Sequence, residues 1–170
     1  MTDELRPRIL SDHVIDRLPR PRRHHGTRQH LSELDGNAEA ALEHYRKVFG
    51  TDYVSPPMRM GDVPADPNGP TFSEAEKKLV MHAELPILAG HVLMATDAVE
   101  SMGQKVTIGN NTTINLEPDT LEETQRLYDL LSEGGTDCAP LADMFWGATW
   151  GTCLDRFGVR WMFNFYHPTA

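Results

Sequence analysis

The sequence predicts an α+β fold built from two βαβββ modules, and three observations carry that prediction. The first is a repeat. Two helical stretches end in glycine, at Gly50 and at Gly134, and each is preceded by one extended segment and followed by several. The second is geometric: a strand–helix–three-strand unit cannot cover both faces of its own sheet, whereas two units placed edge to edge can curve as mixed sheets around a shared pocket. The third is the aromatic stretch Phe145 to Phe165, FWGATWGTCLDRFGVRWMFNF, which holds all three tryptophans. After the turn signal Asp155-Arg156-Phe157-Gly158 it alternates with period two. Val159, Trp161, Phe163 and Phe165 face one way and suit the underside of a helix. Arg160, Met162, Asn164 and Tyr166 face the other, a mixed set suited to a pocket or a second subunit.

Length and composition set the frame. The 170 residues suit one domain, or two small halves sharing a core. Hydrophobic content of 39% with 24% charged residues is ordinary for a soluble globular protein. No apolar run approaches a membrane span and no apolar signal core opens the chain, so a cytoplasmic protein without membrane association is expected. The net charge of −9 argues against nucleic acid as partner. Residues 1–26 carry an excess of arginine and no apolar period, and read as a flexible basic extension. Residues 27–170 form the domain, with modules at about 28–99 and 104–166. Cys138 and Cys153 lack metal or redox spacing and are expected reduced, although a hairpin of 136–142 with 149–155 would let them face each other.

In chain order, Arg28 to Leu34 reads as the first strand. Asn37 is placed as the N-cap of a helix with an Ala38, Ala41, Leu42, Tyr45, Val48, Phe49 stripe, closed by Gly50. Residues 52–60 are extended, and Pro56-Pro57 confine them to a sheet edge. Gly61 to Lys78 is a long Pro/Gly/Asp-rich connection, either a lid or a solvated excursion. Leu79–Ile87 and His91–Thr96 pair as strands, joined near Ala89-Gly90, and Asp97 caps a turn. In the second module Val106–Leu116 reads as a strand. The box Thr120-Leu121-Glu122-Glu123 starts a helix with a Leu121, Thr124, Leu127, Tyr128, Leu131 stripe, and Gly134-Gly135 end it.

Several segments together carry a family resemblance. They are DGNAEAALEHYRKVFG (35–50), MRMGDVPADPNGP (58–70), LVMHAELPI (79–87), VLMATDA (92–98), INLEPDTLEETQRLYDLLSEGG (114–135) and FWGATWGTCLDRFGVRWMFN (145–164). Over about Arg28 to Tyr166 the chain resembles the PhnB-like family of the vicinal-oxygen-chelate superfamily, which includes glyoxalase I, extradiol dioxygenases and bleomycin- and fosfomycin-resistance proteins. The resemblance implies the glyoxalase/bleomycin resistance-like fold, usually a homodimer, with pockets lined by concave sheets. In catalytic members a divalent metal held by His and Glu polarises two vicinal substrate oxygens. The four ligand positions it implies fall at His30 (or Gln29, if the alignment slips by one), near Met94, near Thr113 and at Met162. Thioethers and a hydroxyl are poor ligands for a hard or borderline ion. No cofactor is firmly implied, and a divalent metal belongs to the alternative reading.

The remaining candidates come from side-chain chemistry. His82 and Glu84, two apart on one strand, can act as a base and its orienter, or as a structural hydrogen-bonded pair. Arg160 can grip an anionic ligand or pair with Glu117 or Asp155. Asn164 can orient a ligand or satisfy backbone. Trp146 and Trp150 can wall a flat ligand or pack in the core. Met58, Met60, Met94 and Met162 offer a pliable surface. The expected function is binding of a small organic molecule without a firmly held metal. The alternative is a metal-dependent lyase, isomerase or transferase acting on a small oxygenated substrate, which leaves enzyme status open. No Ser-His-Asp order, P-loop or dinucleotide glycine motif appears.

Overall fold

The computed structural model describes residues 29–64, 69 and 71–168. The basic segment 1–26 lies outside the described residues. The first sheet is ordered β1-β4-β3-β2 and the second β5-β8-β7-β6, so each has its first and last strands adjacent and parallel. The first module comprises β1 (Gln29–Leu34), α1 (Ala38–Phe49), β2 (Met58–Arg59), β3 (Val80–Pro86) and β4 (Val92–Asp97). The second comprises β5 (Ile114–Leu116), α2 (Leu121–Ser132), β6 (Thr136–Met144), β7 (Ala148–Leu154) and β8 (Arg160–Tyr166). Both helices have 12 residues, and the two sheets share one topology. The βαβββ repeat is present, with curved sheets that do not close.

Helix α1 buries Ala38, Ala41, Leu42, Tyr45 and Val48, and ends at Gly50 in the left-handed region (φ 63°), whose N–H donates to the Arg46 carbonyl. Its N-terminus differs from expectation. Asn37 makes no side-chain cap bond. Instead Asp97, buried at the end of β4, accepts from the N–H of Ala38 and from the N–H of Val80, each at 2.8 Å. A carboxylate suits this place because it meets the positive end of the helix dipole and two otherwise unpaired donors. Asp97 is therefore a clasp between α1 and β3 rather than a turn cap. In α2 the Thr120 hydroxyl accepts from the Glu123 N–H at 3.1 Å, as the capping signal required.

One core spans both modules. Helix α1 lies on β3 and β4, α2 lies on β7 and β8, and the helices touch each other. Tyr45 and Phe49 of α1 pack on Trp161 of β8, with ring centroids 5.5 and 5.9 Å apart, and Tyr128 of α2 packs on Phe163 at 5.3 Å. Arg126 of α2 donates to the Val48 carbonyl near the end of α1 at 3.0 Å. The turn that opens β8 completes the join. Asp155 is buried and accepts from the Tyr45 hydroxyl (2.6 Å), Trp161 Nε1 (2.8 Å) and the N–H groups of Phe157 and Val159 (2.9 Å each). The DRFGVRW segment is thus a structural interlock, with Gly158 at φ 84° supplying the turn.

Two expectations need correction. Only Ile114–Leu116 of Val106–Leu116 forms a strand. The β-branched residues before it line a groove instead, because β8 offers a short parallel register, Ile114 to Leu116 against Trp161 to Phe163. The two cysteines do not face each other symmetrically. A register shift between Thr136 and Ala139 leaves Cys138 exposed while Cys153 is fully buried, and both are free thiols. Burial pushes the Cys153 thiol up to about 12.

Candidate functional site

Each sheet has one face under its helix and one open face, and strand register assigns the side chains. In the first sheet Glu84 pairs with Met94, and Leu31 pairs with Met94 from the other side. Met58 pairs with His82. Leu31, Met58, His82, Glu84, Met94 and Thr96 therefore share the open face, while Leu85, Leu93 and Ala95 lie beneath α1. His82 Nε2 is 3.0 Å from Glu84 Oε1, with both side chains partly exposed. This is the geometry of a base held by a carboxylate, and equally of a fixed polar pair.

A cavity of about 640 Å³ reaches this face at Thr96. Its wall includes Met60, Val63, Phe72, Met81, Met102 and Thr96, with Lys77 and Gln104 as polar members. Met81 reaches it through a bulge. Met58 opposes His82 and Arg59 opposes Val80, so Met81 is left over and Val80 takes the buried place beneath the helix. The connection after β2 thus forms one wall. Its tie is Glu76, which accepts from the N–H and hydroxyl of Ser73 (2.8 and 2.7 Å) and from the Ser101 N–H (3.3 Å). Hydrogen bonds from Ser101 and then Ser73 hold its carboxyl down to about 2. Of the four methionines expected to give a pliable surface, Met60 lines this cavity. Met81, Met102 and Phe72 escaped the sequence reading: a bulge is not visible as a period, and Phe72 and Met102 sit outside regular strands.

The second sheet places Trp150 opposite Asn164, and Thr152 and Asn115 opposite Met162. Trp150, Asn164, Met162 and Asn115 share its open face. Asn164 is buried, and Thr113, exposed, lies just before β5. Trp146 stands at the β6–β7 turn and is 46% exposed, so it is no core residue. Close by, Thr149 donates to Asp143 (2.6 Å) and lies 3.1 Å from His167 Nε2. Between the modules runs a groove of about 680 Å³ whose walls include His30, Glu33, Asn37, Ile108, Arg156 and Arg160. Arg160 pairs with Asp137 at 2.7 Å rather than with Glu117 or Asp155, because the strained bulge residue Asp137 (φ 48°) presents its carboxylate there. His30 pairs in register with the buried Leu93, which turns it to the helix side, away from Met94. Burial lowers its pKa and nearby His91 adds to the effect.

The donors present do not fit the superfamily's metal. His30 and Met94 point to opposite faces of one sheet, and Thr113, Met94 and Met162 offer a hydroxyl and two thioethers. Among the described residues no three His, Cys, Asp or Glu side chains come together to hold an ion. His82 and Glu84 give two donors, short of the three that a catalytic zinc site uses.

Comparisons with known proteins agree with this architecture. The chain is 28% identical to the protein YjdN of Escherichia coli K12 over 134 residues, covering 76% of this chain and 88% of that protein. The crystal structure of protein PA1353 from Pseudomonas aeruginosa superposes with a TM-score of 0.69 at 29% identity, covering 84% of this chain and 98% of that one. A Bacillus cereus structure described as a putative 3-demethylubiquinone-9 3-methyltransferase, PhnB protein, superposes with a TM-score of 0.63 at 23% identity, covering 84% and 99%, a likeness of fold. The resemblance read from the motifs is borne out at the level of the superfamily and its fold. Residues 27–163 match the model of one family, and the chain belongs to it: the Glyoxalase/Bleomycin resistance protein/Dioxygenase superfamily.

Proposed function

We propose that the protein binds a small organic molecule on the open face of its first sheet, without a firmly held metal, and that it works as a cytoplasmic homodimer. The observation that carries this reading is the methionine- and phenylalanine-lined cavity of about 640 Å³, which reaches at Thr96 the face that bears the His82–Glu84 pair. Its volume lies within the roughly 300–1,000 Å³ of small-molecule sites, and its apolar wall with a few polar members has the usual composition. Lys77, Thr96 and Gln104 supply polar contacts, and His82 with Glu84 orients or exchanges a proton with a ligand that extends along the sheet. Leu31, 50% exposed, and Met58, 46% exposed, on the same face support a second copy as its cover.

A second reading rests on the 3.0 Å His82–Glu84 contact itself. A supported imidazole suits proton abstraction from a small oxygenated substrate, the chemistry of a lyase or isomerase. Native mass spectrometry of untagged protein, together with its elemental metal content, tests the leading reading. A bound organic mass and substoichiometric divalent metal are expected. One divalent ion per chain, retained and lost on His82→Ala, would replace the leading reading with the metal-dependent enzyme.

A further inference from the structure

The groove of about 680 Å³ between the modules holds an arginine that is only half used. The Arg160 side chain is 15% exposed. Its Nη1 donates to the exposed Asp137 at 2.7 Å, whereas its Nε is buried and has no hydrogen-bond partner among the described residues. A guanidinium meets a carboxylate through planar forks that make two parallel bonds. With Nη1 spent on Asp137, the fork that includes Nε remains, and a cationic group shielded from water calls for an acceptor there. Arg156 adds positive charge to the same wall but is already engaged, with Nη2 2.9 Å from His44 Nδ1 and 3.8 Å from Glu133.

The groove also has an accepting end. Asp97 takes the cap of α1, and the Asn37 Oδ1 it displaces is buried without a partner among the described residues. Glu33 and Asp35, both exposed, line the same groove a few residues earlier. Negative charge thus gathers where β1 ends and positive charge at the turn that opens β8. Ile108 and Phe157 add apolar wall. A Cβ at Gly158 would lie 2.5 Å from Ile108 Cδ1, so that glycine lets Ile108 settle on the turn. A further feature is the strand edge. The wall takes in every residue from His30 to Asp35. Side chains alternate along a strand, so an unbroken run means that the edge of β1, with its backbone donors and acceptors, borders the groove. β1 is the last strand of its sheet and pairs only with β4 among the described residues. Such an edge receives an extended backbone.

We infer that the groove binds an amino acid or the carboxyl end of a short peptide. The carboxylate sits on the Arg160 fork, the apolar side chain lies against Ile108 and Phe157, and the amino end turns toward Asn37 Oδ1, Glu33 and Asp35. The groove and the methionine cavity share no described residue, so the inference stands whether or not that cavity holds a ligand. The test follows the Arg160 Nε–H signal of the full chain in ¹H–¹⁵N spectra, assigned through its own side-chain carbons. The probes are L-leucine, the tripeptide Gly-Gly-Leu and the carboxyl-terminal amide of that tripeptide. A saturable downfield shift with either acid, and none with the amide, is expected from a charge-assisted bond. Tighter binding of the tripeptide assigns a peptide end paired with β1; equal or tighter binding of leucine assigns the free amino acid. No saturable shift with either acid at millimolar concentration, or an equal shift with the amide, overturns the inference. Arg160→Lys keeps the charge and removes the fork, so binding read from the backbone amides of residues 30–35 should weaken at least about tenfold at an unchanged melting temperature. Binding as tight as in the native chain overturns the role of the fork. The shift in the native chain decides the case by itself if the variant does not fold.

Discussion

Replacing Tyr45 by phenylalanine removes one hydroxyl from the join between the modules. That hydroxyl donates to Asp155 at 2.6 Å, and both groups are buried. The ring itself stays, packed against Trp161 and Phe157. The loss is therefore one hydrogen bond to a charged acceptor, worth about 1.5–3 kcal/mol. Asp155 keeps Trp161 Nε1 and two backbone donors, so the carboxylate remains satisfied and the cost should not climb further. Burial, and next the Asp155 charge, raise the Tyr45 pKa well above its ordinary value, so the donor proton persists at every pH where the fold is studied. For a chain of this length the penalty corresponds to a fall in Tm of about 3–12 °C. The assay is urea unfolding followed by tryptophan fluorescence, which should show a lower midpoint with an unchanged m-value. Tyr53→Phe is the control: its hydroxyl donates to the partly exposed Glu43 at 2.9 Å, and its loss should cost under about 1 kcal/mol. If Tyr45→Phe and Tyr53→Phe shift the midpoint equally, the interlock at Asp155 does not couple the modules as described.

Two further outcomes are expected. Asp97→Ala strips the partner from the buried N–H groups of Ala38 and Val80 and should cost about 2–4 kcal/mol; calorimetry reads it, and a change below about 1 kcal/mol would mean that Asn37 or water takes over the cap. The Glu76 carboxyl should titrate near 2 against an ordinary 4.5. Because the folded value is the depressed one, its tie to Ser73 and Ser101 is fully present above about pH 4.5 and fades as pH falls toward 2. A carboxyl-carbon NMR titration with a midpoint near 4.5 would contradict the tie, whereas Glu76→Gln should speed exchange of the Ser73 and Ser101 amides at neutral pH.

The elements that period and punctuation can specify were legible. The stripe of α1, the Thr120 cap, the terminal glycines and the alternating Val159–Tyr166 segment all appear in the structure because each depends on neighbours within a few residues. The cap of α1 was misplaced for the opposite reason: Asn37 is the local candidate, but a carboxylate 59 residues from Ala38 holds the helix end. The candidate residues divide the same way. His82 and Glu84 share a face because they stand two apart on one strand, which the sequence shows. The face that His30 meets, the helix side of the sheet, is fixed only by the pairing of β1 with β4.

The sequence alone determined the duplicated βαβββ plan, since spacing of apolar residues and turn chemistry are local and act in each module separately. Tertiary structure alone decided which face each strand residue meets, that a bulge swings Met81 into the cavity, and that Asp155 locks the two modules together. Those outcomes depend on strands and helices far apart in the chain, whose competing claims on the same buried space no periodicity records.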